Sequence, residues 1–260
     1  MRYRVGVMEY LLGRPLVYGL QSLPEPVIDV QTDVPSRIGD RVLAGDLDAG
    51  LMPAVQILEN DGLWVLPGPC VACDGPVESI RLYHKVPLER VERVALDTSS
   101  RTSVLLAQVI LRDAYGCAPE AVRAHPDRDA MLEAADAALL IGDPALRAGD
   151  DVPYEDLGAA WHRLTGMPFV FAMWGMRSPD PALAELLRAA WRDGKRAVAR
   201  IAEERAAEHG LDAAQMTRYL ARSIRYDLTP EALRGLREFA TRAEAHGLLR
   251  RDGRWLRFAD

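Results

Sequence analysis

The residues best suited to chemistry in this chain form one short run, Asp97-Thr98-Ser99-Ser100-Arg101-Thr102-Ser103, where hydroxyls and a guanidinium sit together. Val91 to Leu96 just before it predicts a short buried strand. Ser103 to Arg112 just after it predicts a helix, with apolar Val104, Leu105, Ala107, Val109, Ile110 and Leu111 and a stop at Gly116. A strand that turns into a helix leaves the first backbone N–H groups unbonded, and with the positive end of the helix dipole they attract an anion. Carboxylate or phosphate is the expected guest. The same residues also read as an ordinary N-cap at Ser99 or Ser100 with a solvated Arg101.

Other chemistry-bearing residues are sparse. Cys70 and Cys73 form a CxxC, but a structural zinc would need two further ligands, and the pair lies in the apolar run Pro67 to Ala72, so buried thiols are expected. His84, His125, His162, His209 and His246 are scattered, and no HExxH, nucleophile motif or carboxylate pair accompanies them. Asp143 follows the predicted strand Ala137 to Ile141, where it is either a ligand or a turn and cap residue. No metal and no organic cofactor is implied.

The chain has 260 residues, enough for one large domain or two small ones, and its 49% hydrophobic and 27% charged content fits a soluble globular protein. Its 32 Lys plus Arg against 38 Asp plus Glu give a formal charge of −6, which disfavours nonspecific binding to nucleic acid or anionic membrane. An anion must therefore be captured by a local site. Glu9 and Arg14 interrupt the N-terminal apolar residues, so no signal peptide is read there, and no stretch approaches a membrane span. Three cysteines without a secretion signal point to a reducing cytoplasm.

Strands and helices alternate in a way that can position the Asp97–Ser103 run. Strands are expected at Arg4 to Met8, Val27 to Thr32 and Asp46 to Pro53, and helices at Leu16 to Gln21, Pro35 to Ala44 and Pro53 to Glu59. Leu63 to Ala72 and Ser79 to His84 are extended segments separated by Asp74-Gly75-Pro76. A second α/β series starts at Val91 and runs through a helix at Asp129 to Ala134, helical spacing over Asp150 to Gly166 and an apolar strand at Pro168 to Trp174. From Pro181 the pattern is helical, with one long helix at Ala182 to Glu208 and two more at about Ala213 to Tyr226 and Pro230 to Ala245. Such alternation places ligands at the carboxyl ends of parallel strands.

Six segments in order, VGVMEYLLGRPLVYGL (Val5 to Leu20), LAGDLDAGLMP (Leu43 to Pro53), DGPVESI (Asp74 to Ile80), LDTSSRTS (Leu96 to Ser103), ADAALLIGDPAL (Ala135 to Leu146) and DLGAAWHRLTGMPFVFAMW (Asp156 to Trp174), carry a family resemblance. Together they resemble the chorismate dehydratase family of the futalosine route to menaquinone. The resemblance implies a periplasmic-binding-protein-like fold of the second type, with two α/β lobes closing on a ligand cleft and a helical C-terminal part. Lobe one would comprise residues 1–82 plus 173–260 and lobe two residues 83–172, with crossings at Ser79 to His84 and Phe169 to Trp174.

The implied reaction is loss of water from chorismate to give 3-[(1-carboxyvinyl)oxy]benzoate. The new aromatic ring supplies the thermodynamic drive, so the protein has to hold a dicarboxylate, exclude water and align the departing groups. The resemblance assigns substrate binding to Ser79 and to Ser99, Ser100, Arg101, Thr102 and Ser103, with Asp143 near the same cleft. His84 is the one histidine expected close by. Where the family has Asn in its YLN motif this chain has Leu12, and where the family has Ser after the third-strand proline it has Ala54. With no protein base in view, one of the substrate's own carboxylates is the expected proton acceptor. Competing readings are a two-lobed binder of a small carboxylate without catalysis, the related 1,4-dihydroxy-6-naphthoate synthase, and the effector domain of a transcription regulator, which lacks a helix-turn-helix here.

Overall fold

A computed structural model describes residues 2–22 and 27–259. The apolar run after Arg2 pairs as β1 (Tyr3–Met8), followed by two 3₁₀ turns at Leu11–Leu16 and Tyr18–Ser22 in place of the single helix expected from Leu16. Pro15 lies inside the first turn and favours the tighter winding, since an α-helix interior would need its missing N–H. The chain continues through β2 (Ile28–Asp33), α1 (Pro35–Ala44), β3 (Ala49–Pro53), α2 (Ala54–Glu59) and β4 (Trp64–Cys73). Pro53 caps α2 rather than opening it.

A second series follows: β5 (Ile80–His84), β6 (Arg93–Asp97), α3 (Arg101–Tyr115), β7 (Glu120–Ala124), α4 (Arg128–Ala134), β8 (Ala137–Ile141), α5 (Gly142–Arg147), β9 (Tyr154–Asp156) and α6 (Leu157–Thr165). The chain then returns through β10 (Phe169–Met176) to α7 (Pro181–Arg196), α8 (Val198–Arg205), α9 (Ala213–Arg218), β11 (Arg225–Asp227) and α10 (Pro230–Ala245).

These strands form two sheets. The first has the order β11-β4-β10-β3-β1-β2 and the second the order β7-β6-β8-β5-β9. β1 runs parallel to β2 and β3, and β6 runs parallel to β7 and β8, so each sheet has a parallel centre whose carboxyl ends face the other sheet. β5 lies wholly in the second sheet and β10 wholly in the first, so the crossings themselves are the segments 74–79 and 166–168.

The two crossings are held side by side. Cys73, the last residue of β4, pairs with Phe169, the first of β10. Asp156 caps α6 through the Ala159 N–H at 3.0 Å and also accepts the N–H groups of Val77 and Glu78 on the outgoing segment. Above this junction Trp161, Phe169 and Phe239 meet edge to face at 5.0 to 6.1 Å, and the Trp161 indole donates to the Pro168 carbonyl. Arg242 and His246 at the end of α10 bond Asp113 on α3, tying the last helix to the second sheet's principal helix.

Two expected helices break. Ala182 to Glu208 divides at Ala197, because α7 buries Leu183, Leu187, Ala190 and Gly194 against the 3₁₀ turns while α8 buries Ile201 and Ala202 on a different line. Ala213 to Tyr226 ends early: a widened turn at Tyr219–Ser223 buries Tyr219, and β11 then pairs with the free edge of β4. Cys70 and Cys73 are free and buried, as expected, and burial pushes both thiols well above their ordinary range.

The first 3₁₀ turn is seated on α7 by Gly194, where a β-carbon would lie 1.7 Å from the Pro15 carbonyl oxygen. Gly194→Ala should therefore lower the unfolding free energy by about 1–3 kcal/mol through overpacking, despite the ~1 kcal/mol that Ala gains in helix propensity. A urea titration checks this, and an unchanged midpoint would contradict the seating of that turn on α7.

Candidate active site between the sheets

The carboxyl ends of β1, β3, β6 and β8 converge on a small cavity. Its walls include Met8, Tyr10 and Leu12 after β1, Pro53 at the end of β3, Ser100 and Ser103 after β6, and Ile141 and Gly142 at the end of β8. Val71, Phe171 and Ala172 from β4 and β10 close it from below. Its volume is about 30 Å³, close to one water molecule's share of the liquid. That volume is smaller than a ring compound needs, so the two sheets stand close together here.

Hydrogen bonds from the first sheet's elements to the second hold the closure. The Tyr10 hydroxyl donates to Ser99 Oγ at 2.9 Å, and the Ser36 N–H donates to the Ser99 carbonyl at 3.0 Å. The Val55 N–H donates to Thr102 Oγ1 at 3.2 Å, and the Leu11 N–H to Asp143 Oδ1 at 3.1 Å. From the C-terminal helices, the Tyr219 hydroxyl donates to Ser79 Oγ at 2.8 Å, and His209 Nδ1 lies 2.7 Å from Asp143 Oδ2.

The residues named from sequence divide accordingly. Ser100, Ser103 and Leu12 reach the cavity wall. Ser100 caps α3 by accepting the Ser103 N–H at 3.4 Å, and the two hydroxyl oxygens are 3.2 Å apart. Ser99 sits one step back between Tyr10 and Asp97, and Thr102 is fully buried against α2. Ser79 and Asp143 stand directly behind the cavity residues Ile80 and Gly142, with their polar atoms turned to Tyr219 and to Leu11 and His209.

Arg101 is not brought to the cavity. It ion-pairs with Asp40 at 2.8 Å and lines a separate open groove with Glu59 and Arg123. The expectation for His84 fails, because it occupies the end of β5 opposite Ile80 and its Nδ1 is 2.8 Å from the Val86 carbonyl. Ala54 is buried behind Pro53, whereas Leu12 presents its side chain to the cavity and its carbonyl accepts the Tyr226 hydroxyl at 3.1 Å.

Three residues that sequence reading passed over matter here. Tyr10 was within a quoted motif but unremarkable in type, and His209 lay in a helical stretch with no local signal. Asp97 read as part of the loop; its Oδ1 accepts both the Ser99 N–H at 3.0 Å and the Ser99 hydroxyl at 2.6 Å. The carboxyl group is buried, with the Ile141 backbone N–H also beside it. Burial raises the Asp97 carboxyl above its ordinary value, partly offset by the two Ser99 bonds. Burial likewise pushes the Tyr10 phenol well above its ordinary value.

Gly142 has φ +64°, and a β-carbon there would lie 2.7 Å from the Tyr10 ring, so its backbone forms the surface on which that ring rests. Ser100 and Ser103, at the N-terminus of a 15-residue helix, line one side of the cavity, and an apolar wall forms the rest. That arrangement can orient a ring carrying an anionic group and keep water from it. Among the described residues no group of three or more His, Cys, Asp or Glu could hold a metal ion, and no helix is long and apolar enough to cross a membrane.

Comparison with known proteins places this geometry in a family. A chorismate dehydratase from Thermus thermophilus is 34% identical over 95% of this chain and 96% of its own length. Another from Campylobacter jejuni is 23% identical over 94% of this chain and 98% of its own. Among solved structures, a protein from Archaeoglobus fulgidus superposes with TM-score 0.76 at 18% identity, covering 95% of this chain and 98% of that one. The periplasmic aliphatic sulphonate binding protein of Escherichia coli superposes with TM-score 0.69 at 19% identity, covering 95% and 88%. The fold is thus periplasmic-binding-protein-like, as expected from the sequence. A family model described as menaquinone biosynthesis matches residues 3–245, and the chain belongs to that family.

Proposed function

We propose that this protein is a chorismate dehydratase, a hydro-lyase that eliminates water from chorismate to give 3-[(1-carboxyvinyl)oxy]benzoate in menaquinone biosynthesis. The observation that carries the reading is the match to a chorismate dehydratase at 34% identity over 95% of the chain, combined with a closed cavity at the strand ends. The lobes follow the two sheets, about residues 1–79 plus 169–260 and residues 80–168, which moves the boundaries read from the sequence, 82/83 and 172/173, by a few residues so that β5 and β10 stay whole. The substrate lies between them, one carboxylate on the Ser100 and Ser103 hydroxyls at the start of α3 and the ring against Leu12. Ser79, Ser99, Thr102 and Asp143 shape the closed form from behind, and Arg101 meets substrate only on its way in.

The chemistry asks little beyond placement. Breaking one ring C–H and one C–O bond creates an aromatic ring, so an enclosed and dry cavity that fixes the departing groups does most of the work. The reaction requires no metal or organic cofactor. The protein works in the cytoplasm, a placement favoured by its three free cysteines.

The apolar wall at Leu12 and Ala54 favours a second reading, a two-lobed protein that closes on a small carboxylate without converting it. Incubation with chorismate separates the two. A dehydratase forms an aromatic product identified by mass, whereas a binder raises its melting temperature in chorismate and returns the ligand unchanged.

Closure should depend on the carboxylate behind Gly142. Asp143→Ala leaves the Leu11 N–H and His209 Nδ1 without their acceptor, at a cost of about 1–3 kcal/mol. The expected result is a lower melting temperature and a weaker KM for chorismate. Asp143→Asn keeps an acceptor for Leu11 and should lose less. Equal behaviour of both variants and the parent would remove Asp143 from the closed form.

A further inference from the structure

The outgoing crossing contains a strained turn. The Ser79 N–H donates to the Val77 carbonyl at 2.8 Å, and Glu78 between them has φ +64°. A bond that skips one residue across a positive φ is the rarer and strained hand of the γ-turn. Glu78 and Asp252 are the two non-glycine residues described with positive φ. The returning crossing makes its left-handed step with Gly166 at φ +68°, where no β-carbon opposes it. A glutamate keeps such a backbone only where its surroundings impose it.

The partners of this turn divide between the two sheets. On the second sheet's side, Asp156 accepts the Glu78 N–H at 2.7 Å, the Arg81 guanidinium donates to the Glu78 carbonyl at 2.7 Å, and the Gly142 N–H donates to the Ser79 carbonyl at 2.7 Å. These three bonds hold the backbone. On the first sheet's side, the widened turn Tyr219–Ser223 holds the side chains. The Ser223 hydroxyl donates to the Glu78 carboxylate, and the Tyr219 hydroxyl donates to Ser79 Oγ at 2.8 Å. Widened turns of this kind recur at functional positions.

We propose that Glu78 is a hinge switch, strained while the sheets stand together and held so by the Tyr219–Ser223 turn as a clasp. About 30 Å³ is too little for a ring compound, so a ligand that binds between the sheets moves them apart, and the crossings take up the rotation. A glutamate at φ +64° gains by moving to negative φ, which makes it the natural place for that rotation. Its backbone is tied to the second sheet and its side chain to the first. The motion that breaks the Ser223 and Tyr219 bonds is therefore the motion that frees Glu78 to relax. Released strain offsets part of the cost of breaking the two bonds, and so keeps the two arrangements close in free energy. The switch rests on the two-lobed fold and does not depend on the dehydratase reading.

Small-angle X-ray scattering of the ligand-free protein, read beside its melting temperature, tests the switch. Tyr219→Phe and Ser223→Ala each remove one clasp bond and keep the packing. Each should enlarge the radius of gyration by a few per cent of the roughly 18 Å that a compact chain of this length has. Adding Glu78→Gly to Ser223→Ala should bring the radius back toward the parent's, because glycine holds φ +64° without strain. A turn that is identical in both arrangements would also melt higher with glycine, but its radius would not respond. Glu78→Val, whose branched side chain opposes a positive φ, should enlarge the radius with the clasp intact. Unchanged radii in both clasp variants, or an enlarged radius that Glu78→Gly leaves in place, overturns the switch. Where a clasp variant fails to fold, Glu78→Val decides, and a parental radius in that variant overturns it.

Discussion

The structure depends on an unequal sharing of hydrogen-bonding groups across the cleft. The second sheet's side presents oxygen acceptors at Ser79, Ser99, Thr102 and Asp143, and their donors, on Tyr219, Tyr10, Val55 and Leu11, belong to the first sheet's side. Each bond contributes about 0.5–1.5 kcal/mol net, so together they hold the lobes shut by a few kcal/mol, an amount that a bound ligand's own contacts can match or exceed. The paired crossings at Cys73 and Phe169, braced by Asp156 and Trp161, supply the complementary requirement, a well-packed junction between the two sheets. Placement of the cavity residues follows from those two conditions.

The local features of this arrangement were legible in the sequence. Proline at the start and apolar residues at Ile38 and Val42 specify α1, and Ser100 with the Val104–Leu111 pattern specifies α3 and the turn into it. The two α/β series separated by Asp74-Gly75-Pro76 appear as two sheets. Leu12 stood out because a family motif has an amide there, and its side chain does line the cavity.

What escaped the sequence is whatever joins distant positions. Tyr10 and Ser99 are 89 residues apart, His209 and Asp143 are 66 apart, and Tyr219 and Ser79 are 140 apart; no periodicity links such pairs. Arg101 illustrates the opposite error. Its position in the hydroxyl run suggested a carboxylate clamp, yet on a helix adjacent residues face different ways, so Ser100 and Ser103 face the cavity while Arg101 reaches Asp40. The helix breaks at Ala197 and Tyr219 arise similarly from tertiary demands, the seat on Pro15 and the free edge of β4, which override a sound apolar repeat.

A crystal structure with the aromatic product 3-[(1-carboxyvinyl)oxy]benzoate bound tests the proposed function most directly, because the product fills the substrate's place and is not consumed. The expected result is an enlarged cavity between the sheets with the ring against Leu12 and a carboxylate on Ser100 and Ser103. Product seated instead in the open groove beside Arg101 and Arg123 would contradict that placement.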